Sequence, residues 1–478
     1  MRLQAATALL ATGCVSPSPP PSILLVSMDT TRFDATSLGS DRDITPNLAR
    51  LARQGRTYTR AYAVANESVT SHAALFTGRY ASELAIAEYG TFALPDGTPT
   101  VAGALSAQGW ATAAFTGGGH VVADFGLHQG FDTFQSVSGP HTFGSFYDTV
   151  PDALKWIEAQ DQPWFSFVHG YDAHTPYVQR GPFEHPWGTT EATDRIEAIV
   201  ADDLALEQLR DNLWFRDRHP SDFTHAVGRT VLGTDFYRLP AEPGPDEWVE
   251  LLSPEELVHI RDHYEAGVHY ADVWLGLLLA SIDLTETLVI VVSDHGEDLL
   301  DHGYINHRAG LWDSTLRVPL VVAGPGIAPG TTVDAPVDLR SVVPTILQHA
   351  GMAMLAGATA PPLSDDLPAS PVFAEGTMDE LSVWAPDLGR LTLHEAGLGT
   401  GARSVPPAPP ADQLSYFPPD TTEPGSTRST EAQQLLHHLQ QWRAGLRPAT
   451  LTGVPVSTEL REALQARGYW VPSSEKRP

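Results

Sequence analysis

A single cysteine, Cys14, among 478 residues excludes any disulfide within the chain. Basic residues are scarce as well: 29 Lys and Arg stand against 58 Asp and Glu, a formal net charge of −29. Broad nucleic-acid binding needs clustered Lys and Arg to displace counterions from phosphates, so that class is excluded. A polyanion would be repelled at long range, and an anionic group could be held only by strong local positive charge such as a metal ion. Long apolar runs are also missing. No segment reaches the roughly 18 apolar residues a helix needs to cross a bilayer, and Val273 to Ile282 is a buried helix at most. What is present suffices for a large core: 42% apolar against 18% charged residues fits a folded protein, and 39 prolines with 40 glycines predict long loops. The length predicts one large domain plus a smaller appendage.

The position of the cysteine is informative. Arg2 precedes a short apolar stretch ending Leu9-Leu10-Ala11-Thr12-Gly13-Cys14. This resembles a bacterial lipoprotein signal, cut before Cys14 so that the new terminus carries lipid, with the Ser/Pro-rich Val15 to Ser22 as tether. Residues 1–22 are expected to be this signal and tether, which would put the protein in the cell envelope, on its periplasmic or extracellular face, lipid-anchored at Cys14.

Five apolar, β-branched runs read as strands buried on both faces: Ile23 to Ser27, Ala111 to Thr116, Trp164 to His169, Thr287 to Ser293 and Val318 to Ala323. Helical patterns fill the gaps at Asn47 to Gln54, Thr98 to Gln108 (Thr98 as N-cap, Pro99 next), Pro254 to Ile282 and Ser341 to Ala350. The expected fold class is α/β, a mostly parallel sheet sandwiched by helices. Just past four of the five strands stand residues suited to chemistry: Asp29, His120, Asp172 with His174, and Asp294 with His295. Open α/β sheets bind ligands beyond the carboxyl ends of their strands, so these loops should converge on one cleft. The main domain is expected over 23–351, with an insertion over the cleft at about 178–245. Residues 352–478, broken by Pro361-Pro362, Pro406-Pro407-Ala408-Pro409-Pro410 and Pro418-Pro419, read as a smaller irregular C-terminal subdomain ending in helices at Thr430 to Leu446 and Ser457 to Arg467.

Ser68 opens a helical run, Val69 to Phe76, that Gly78 would end. At the cap of that helix its side chain would sit beside backbone N–H groups that favour an anion. Taken alone, Ser68 is more simply a serine N-cap. Its company argues otherwise. Asp29, Asp294, His295 and the Ser68 oxygen together make a four-coordinate donor set for a divalent cation. A bound cation lowers the pKa of a nearby hydroxyl, which would make an ordinary serine a nucleophile near neutral pH.

The ordered motifs Ile23-Leu24-Leu25-Val26-Ser27-Met28-Asp29-Thr30-Thr31-Arg32, Thr45-Pro46-Asn47-Leu48, Ser68 to Arg79, Gly130-Phe131-Asp132, Asp172-Ala173-His174-Thr175-Pro176-Tyr177, Ser293-Asp294-His295-Gly296-Glu297 and Leu316-Arg317-Val318-Pro319-Leu320 resemble the sulfatases of the alkaline phosphatase superfamily. The similarity runs from Ile23 to Ile346, with a weaker echo at Leu460 to Trp470. It implies an alkaline-phosphatase-like fold and a metal-dependent hydrolase of anionic esters. Sulfatases usually bind calcium through two adjacent aspartates and a later Asp-Asn or Asp-His pair; here the second aspartate is Thr30 and the later pair is Asp294-His295. Calcium prefers six to eight oxygens, so zinc, manganese or iron is favoured over calcium. The family's Cys/Ser-x-Pro-Ser-Arg signature, which directs oxidation to formylglycine, reads Ser68-Val69-Thr70-Ser71-His72, so Ser68 is expected to act unmodified. The resemblance assigns His174 and His120 to the ester oxygens, and His307 stands where the family has a sulfate-contacting lysine. His72 replaces the signature arginine. Asp172, His174 and His307 could also hold a second cation.

The reading is a sulfuric ester hydrolase acting through a metal-bound Ser68. Two alternatives remain open at this point: a phosphomonoesterase or phosphodiesterase with unmodified Ser68 and up to two metals, and a catalytically degenerate binding protein.

Overall fold

The apolar runs become strands in a computed structural model of the protein, which describes residues 20–84, 86, 92–138, 143–174, 177, 254–299, 301–302, 305–307, 310–376, 380–394, 413–419, 421, 424–447 and 454–458. Cys14, the expected insertion at 178–245, the Pro406–Pro410 cluster and most of the last expected helix lie outside these residues. Eight strands form one sheet: β1 (Ser22–Met28), β2 (Gly55–Tyr58), β3 (Ala111–Thr116), β4 (Thr133–Ser136), β5 (Trp164–Gly170), β6 (Thr287–Val292), β7 (Leu320–Ala323) and β8 (Thr331–Val333). Their order is β8-β2-β7-β6-β1-β5-β3-β4. All neighbours run parallel except β7, which is antiparallel to both β6 and β2. The run expected as a single strand over Val318 to Ala323 is therefore split. Arg317–Val318 pairs with Ala61–Tyr62, and only Leu320 onward enters the large sheet. Pro319 between them has no N–H to give to a ladder.

Alternation along β1 explains the layers. Ile23 and Leu25 pack into one apolar cluster with Phe165, Phe167, Leu288 and Ile290, while Leu24, Val26 and Met28 pack into a second with Val168, Val289 and Val291. Side chains at period two leave opposite faces of the sheet, so each face must be covered. The helices α1 (Pro46–Gln54), α2 (Ser68–Thr77), α3 (Val101–Ser106), α4 (Phe146–Glu158), α5 (Pro254–Ala280) and α6 (Val342–His349) do this, with α2, α3 and α6 on the first face and α1, α4 and α5 on the second. The expected cap at Thr98 is displaced to Thr100, whose side chain accepts from Gly103 N at 3.1 Å. Among the described residues no helix is long and apolar enough to cross a membrane.

Among the described residues the C-terminal subdomain holds a regular sheet where the prolines suggest irregular chain. Strands β9 (Val372–Glu375), β10 (Leu381–Ala385), β11 (Gly389–Leu393) and β12 (Leu414–Phe417) form an antiparallel sheet, covered on one face by α7 (Thr430–Gly445). The prolines at 361–362 and 418–419 stand outside the strands, where a missing N–H costs no ladder bond. Composition registers those breaks and not the short alternating segments between them.

Candidate active site

The sheet order puts β6, β1 and β5 side by side, so the residues following them meet at one edge. A carboxylate oxygen of Asp29, one of Asp294 and a ring nitrogen of His295 lie within 4.8 Å of one another, all buried. Among the described residues this is the one such grouping. Helix α2 delivers Ser68 to it. Ser68 was expected at the cap of α2, but it is the first helical residue; the cap is Glu67, whose side chain accepts from Thr70 N at 3.1 Å. This difference matters chemically. With capping done by Glu67, the Ser68 hydroxyl lies 3.4 Å from Asp29 Oδ2 and 3.4 Å from His295 Nε2. Gly78, at φ 70°, ends α2 in the left-handed conformation glycine adopts without strain.

Hydrogen bonding divides each carboxylate into a committed oxygen and an open one. Asp294 Oδ1 accepts from Thr30 N at 3.1 Å and from His295 N at 2.9 Å, whereas Asp294 Oδ2 has no hydrogen-bond donor. Asp29 Oδ2 accepts from His169 Nε2 at 3.1 Å and from Ser68, whereas the buried Asp29 Oδ1 has none. His295 completes the set. A carbonyl oxygen only accepts, so the 2.9 Å contact of His295 Nδ1 with Gly296 O fixes the proton on Nδ1 and leaves a lone pair on Nε2. Two buried carboxylate oxygens without donors, an imidazole lone pair and an adjacent hydroxyl fit a four-coordinate divalent cation. Burial, together with the facing Asp294 carboxylate, pushes Asp29 well above the usual carboxylate range. A cation between the two would relieve both costs.

Backbone strain supports the arrangement. Thr30 has φ 52°, a left-handed conformation costing a β-branched residue on the order of 1–3 kcal/mol. Tyr264 holds it by donating to Thr30 O at 2.6 Å, and the turn aims the Thr30 amide at Asp294.

The histidines differ in what they touch. His72 Nδ1 donates to Ser68 O at 2.7 Å and its Nε2 lies 3.2 Å from Ser27 Oγ. Burial pushes its pKa down, which favours the neutral ring. His307 Nδ1 donates to Asn66 O at 2.7 Å, and its ring stacks on His295 with centroids 4.2 Å apart. Burial lowers its pKa well below the usual range. His174 lies 5.5 Å from His307, centroid to centroid, and Tyr171 bridges toward His120, whose backbone N donates to the Tyr171 hydroxyl at 3.0 Å. Burial takes His120 to about 3, helped by the nearby His174 and His295.

One expected ligand does not join. Asp172 Oδ2 accepts from Phe146 N at 2.9 Å at the start of α4, and Asp172, His174 and His307 do not form a second cation set among the described residues, where the one grouping is Asp29, Asp294 and His295. One participant was missed. His169 is the sixth residue of β5 and donates to Asp29, yet it reads in the sequence as the end of an apolar strand. The period-two pattern Phe165, Phe167, His169 was the available signal, because it puts the histidine on the face that α2 covers.

The chain matches the family model "Sulfatase" over residues 21–352. It is 28% identical over 220 residues to an arylsulfatase K of Danio rerio, a match covering 44% of this chain and 38% of that protein. It is 26% identical over 382 residues to a sulfatase of Formosa agariphila, covering 70% of this chain and 69% of the relative. In fold it is similar to a protein solved in complex with its substrate D-glucosamine-2-N,6-O-disulfate, with TM-score 0.60, 18% identity, 90% of this chain and 99% of that one covered. With the model spanning well over half the chain and the acidic cluster at the edge of an alkaline-phosphatase-like sheet, the protein belongs to the sulfatase family of hydrolases.

Proposed function

We propose that the protein hydrolyses a sulfate monoester, with unmodified Ser68 as the nucleophile. The observation that carries this reading is the Ser68 hydroxyl, released from capping and held 3.4 Å from both Asp29 and His295. Asp29 Oδ1, Asp294 Oδ2 and His295 Nε2 would hold a divalent cation, which when bound supplies the positive charge that acidifies the serine and attracts the ester anion. Ser68 Oγ attacks sulfur as the bond to the leaving oxygen breaks, and water then hydrolyses the serine sulfate. His72 fixes the Ser68 carbonyl at the start of α2, so the nucleophile is aimed by the backbone. His307 presents its Nε2 lone pair as proton acceptor, and His174 and His120 serve the departing oxygen.

Charge favours sulfate over a phosphate monoester. The positions that carry fixed cations in the family are the neutral His72 and His307, and one cation suits a monoanion better than a dianion. A phosphodiester, also a monoanion, is the second reading that the same observation supports. The test is turnover of aryl sulfate, aryl phosphate and bis-aryl phosphate by protein reconstituted with zinc, manganese or calcium. The expected order puts aryl sulfate first, and Ser68→Ala should abolish turnover. Residual activity above about 5% in that variant moves the nucleophile elsewhere, and preference for the phosphate monoester discards the charge argument. Lipid attachment at Cys14, part of the same proposal, predicts incorporation of labelled palmitate that Cys14→Ala removes; unlabelled wild-type protein would discard it.

A further inference from the structure

We infer that His169 is a positioning residue that confines Asp29 to a single cation-binding oxygen and so selects a small transition-metal ion over calcium. The inference rests on the cation reading above and concerns what decides the cation's identity. Gly117 N donates to His169 Nδ1 at 3.3 Å, so Nδ1 carries no proton. The ring is therefore neutral with its hydrogen on Nε2, the opposite tautomer from His72, His295 and His307. That hydrogen is given to Asp29 Oδ2 at 3.1 Å.

The donor is fixed from both sides. Parallel pairing sets His169 of β5 beside Ser27 of β1, two residues before Asp29. Gly117 leaves no latitude, because a Cβ there would stand 2.3 Å from Gly144 O, and Gly144 N in turn donates to Gly117 O at 2.7 Å. Tyr171 and His72 meet the imidazole edge-on at 4.6 and 5.0 Å, and the residue is fully buried.

With Oδ2 accepting from His169, Oδ1 is the oxygen of Asp29 left without a donor, and Oδ2 is that of Asp294, an arrangement that favours one oxygen from each carboxylate over bidentate binding. Calcium takes six to eight oxygens and favours bidentate carboxylates, whereas two single oxygens, one imidazole nitrogen and a hydroxyl match a four-coordinate ion. Partners that hydrogen-bond a ligating group also orient it, and their loss typically weakens metal binding about 10–100-fold.

The test compares zinc and calcium affinities by chelator competition in wild type, His169→Asn and His169→Gln. Asparagine keeps an acceptor near Gly117 but cannot reach Asp29; glutamine puts an amide N–H where Nε2 stands. His169→Asn should lower the zinc-to-calcium affinity ratio about 10–100-fold, and His169→Gln should restore most of it. An unchanged ratio in His169→Asn overturns the inference, and so does a glutamine variant no better than asparagine. Nitrogen NMR of histidine-labelled wild type reads the tautomer without any substitution: a proton on Nε2 of His169 is expected, and one on Nδ1 overturns it. Wild type that binds neither ion removes the cation reading itself, an outcome distinct from binding with unaltered selectivity in the variants.

Discussion

The candidate active site and the C-terminal sheet are built on opposite plans. At the centre, buried polar groups meet from places far apart in the chain: His169 and Asp29 are 140 residues apart, and Thr30 and Asp294 are 264 apart. In the C-terminal sheet, β9 to β12 are ordered as in the sequence, with one bridge from Glu375 at the end of β9 to Ala65 of the main domain, and Val383, Leu391, Tyr416, Leu435 and Leu439 bury apolar surface against one another. One region accepts carboxylate repulsion, a strained threonine and neutral histidines in the interior. The other has the composition of an ordinary core. The difference teaches that chemistry and stability are separable here, and substitutions should sort accordingly.

The largest expected effect is at the centre. Asp29→Asn should lower turnover on the order of 1000-fold or more, since it removes charge that a cation requires. The same variant in chelator should melt no lower than chelated wild type, because a buried carboxylate facing Asp294 is gone. Loss of thermal stability in chelator would mean that Asp29 is structural and would break the comparison. Leu391→Ala, in contrast, empties a fully buried site in the C-terminal sheet and should cost about 2–5 kcal/mol in denaturant unfolding with kcat of the folded fraction unchanged. A matching fall in kcat would show that this sheet takes part in the chemistry. Glu375→Gln probes the seam between the two regions, where Glu375 accepts from Ser82 N at 2.9 Å and pairs with the buried Arg443. It should cost about 1–3 kcal/mol, most of it from a buried guanidinium losing its counter-charge; an unfolding curve superposable on wild type would remove the seam.

The last comparison is a pH slope, small over any one pH unit. His120 has its pKa depressed to about 3, whereas in the unfolded chain it stays near 6.5. Between those values the unfolded state binds the proton and the native state does not. Stability present above pH 6.5 is therefore lost as pH falls toward 3, by up to about 1.4 kcal/mol per pH unit for this group. Asp29, raised by burial, slopes the other way in chelated protein. The difference between wild type and His120→Gln cancels that contribution and should isolate the histidine; parallel stability curves from pH 6 to 4 would refute its buried, neutral state.

Much of the sheet was legible because its strands are buried on both faces and therefore continuous in apolar residues. Ala111–Thr116 has the bounds its composition predicts, and β1, β5 and β6 differ by a residue or so at their ends. Asp29, Asp294 and His295 were legible as polar residues placed just after such runs. β9 to β12 were hidden by short alternation among prolines, and His169 was hidden inside an apolar strand, marked only by its period-two register with Phe165 and Phe167.

The sequence by itself determined which residue types are available: carboxylates, imidazoles and a serine, with too few basic side chains to hold an anion without a cation. Tertiary structure decided which oxygen of Asp29 and of Asp294 stays open and which nitrogen of His169 holds the proton. Those choices depend on hydrogen bonds from Gly117, Thr30 and His169, partners that become neighbours only after strands remote in sequence have paired.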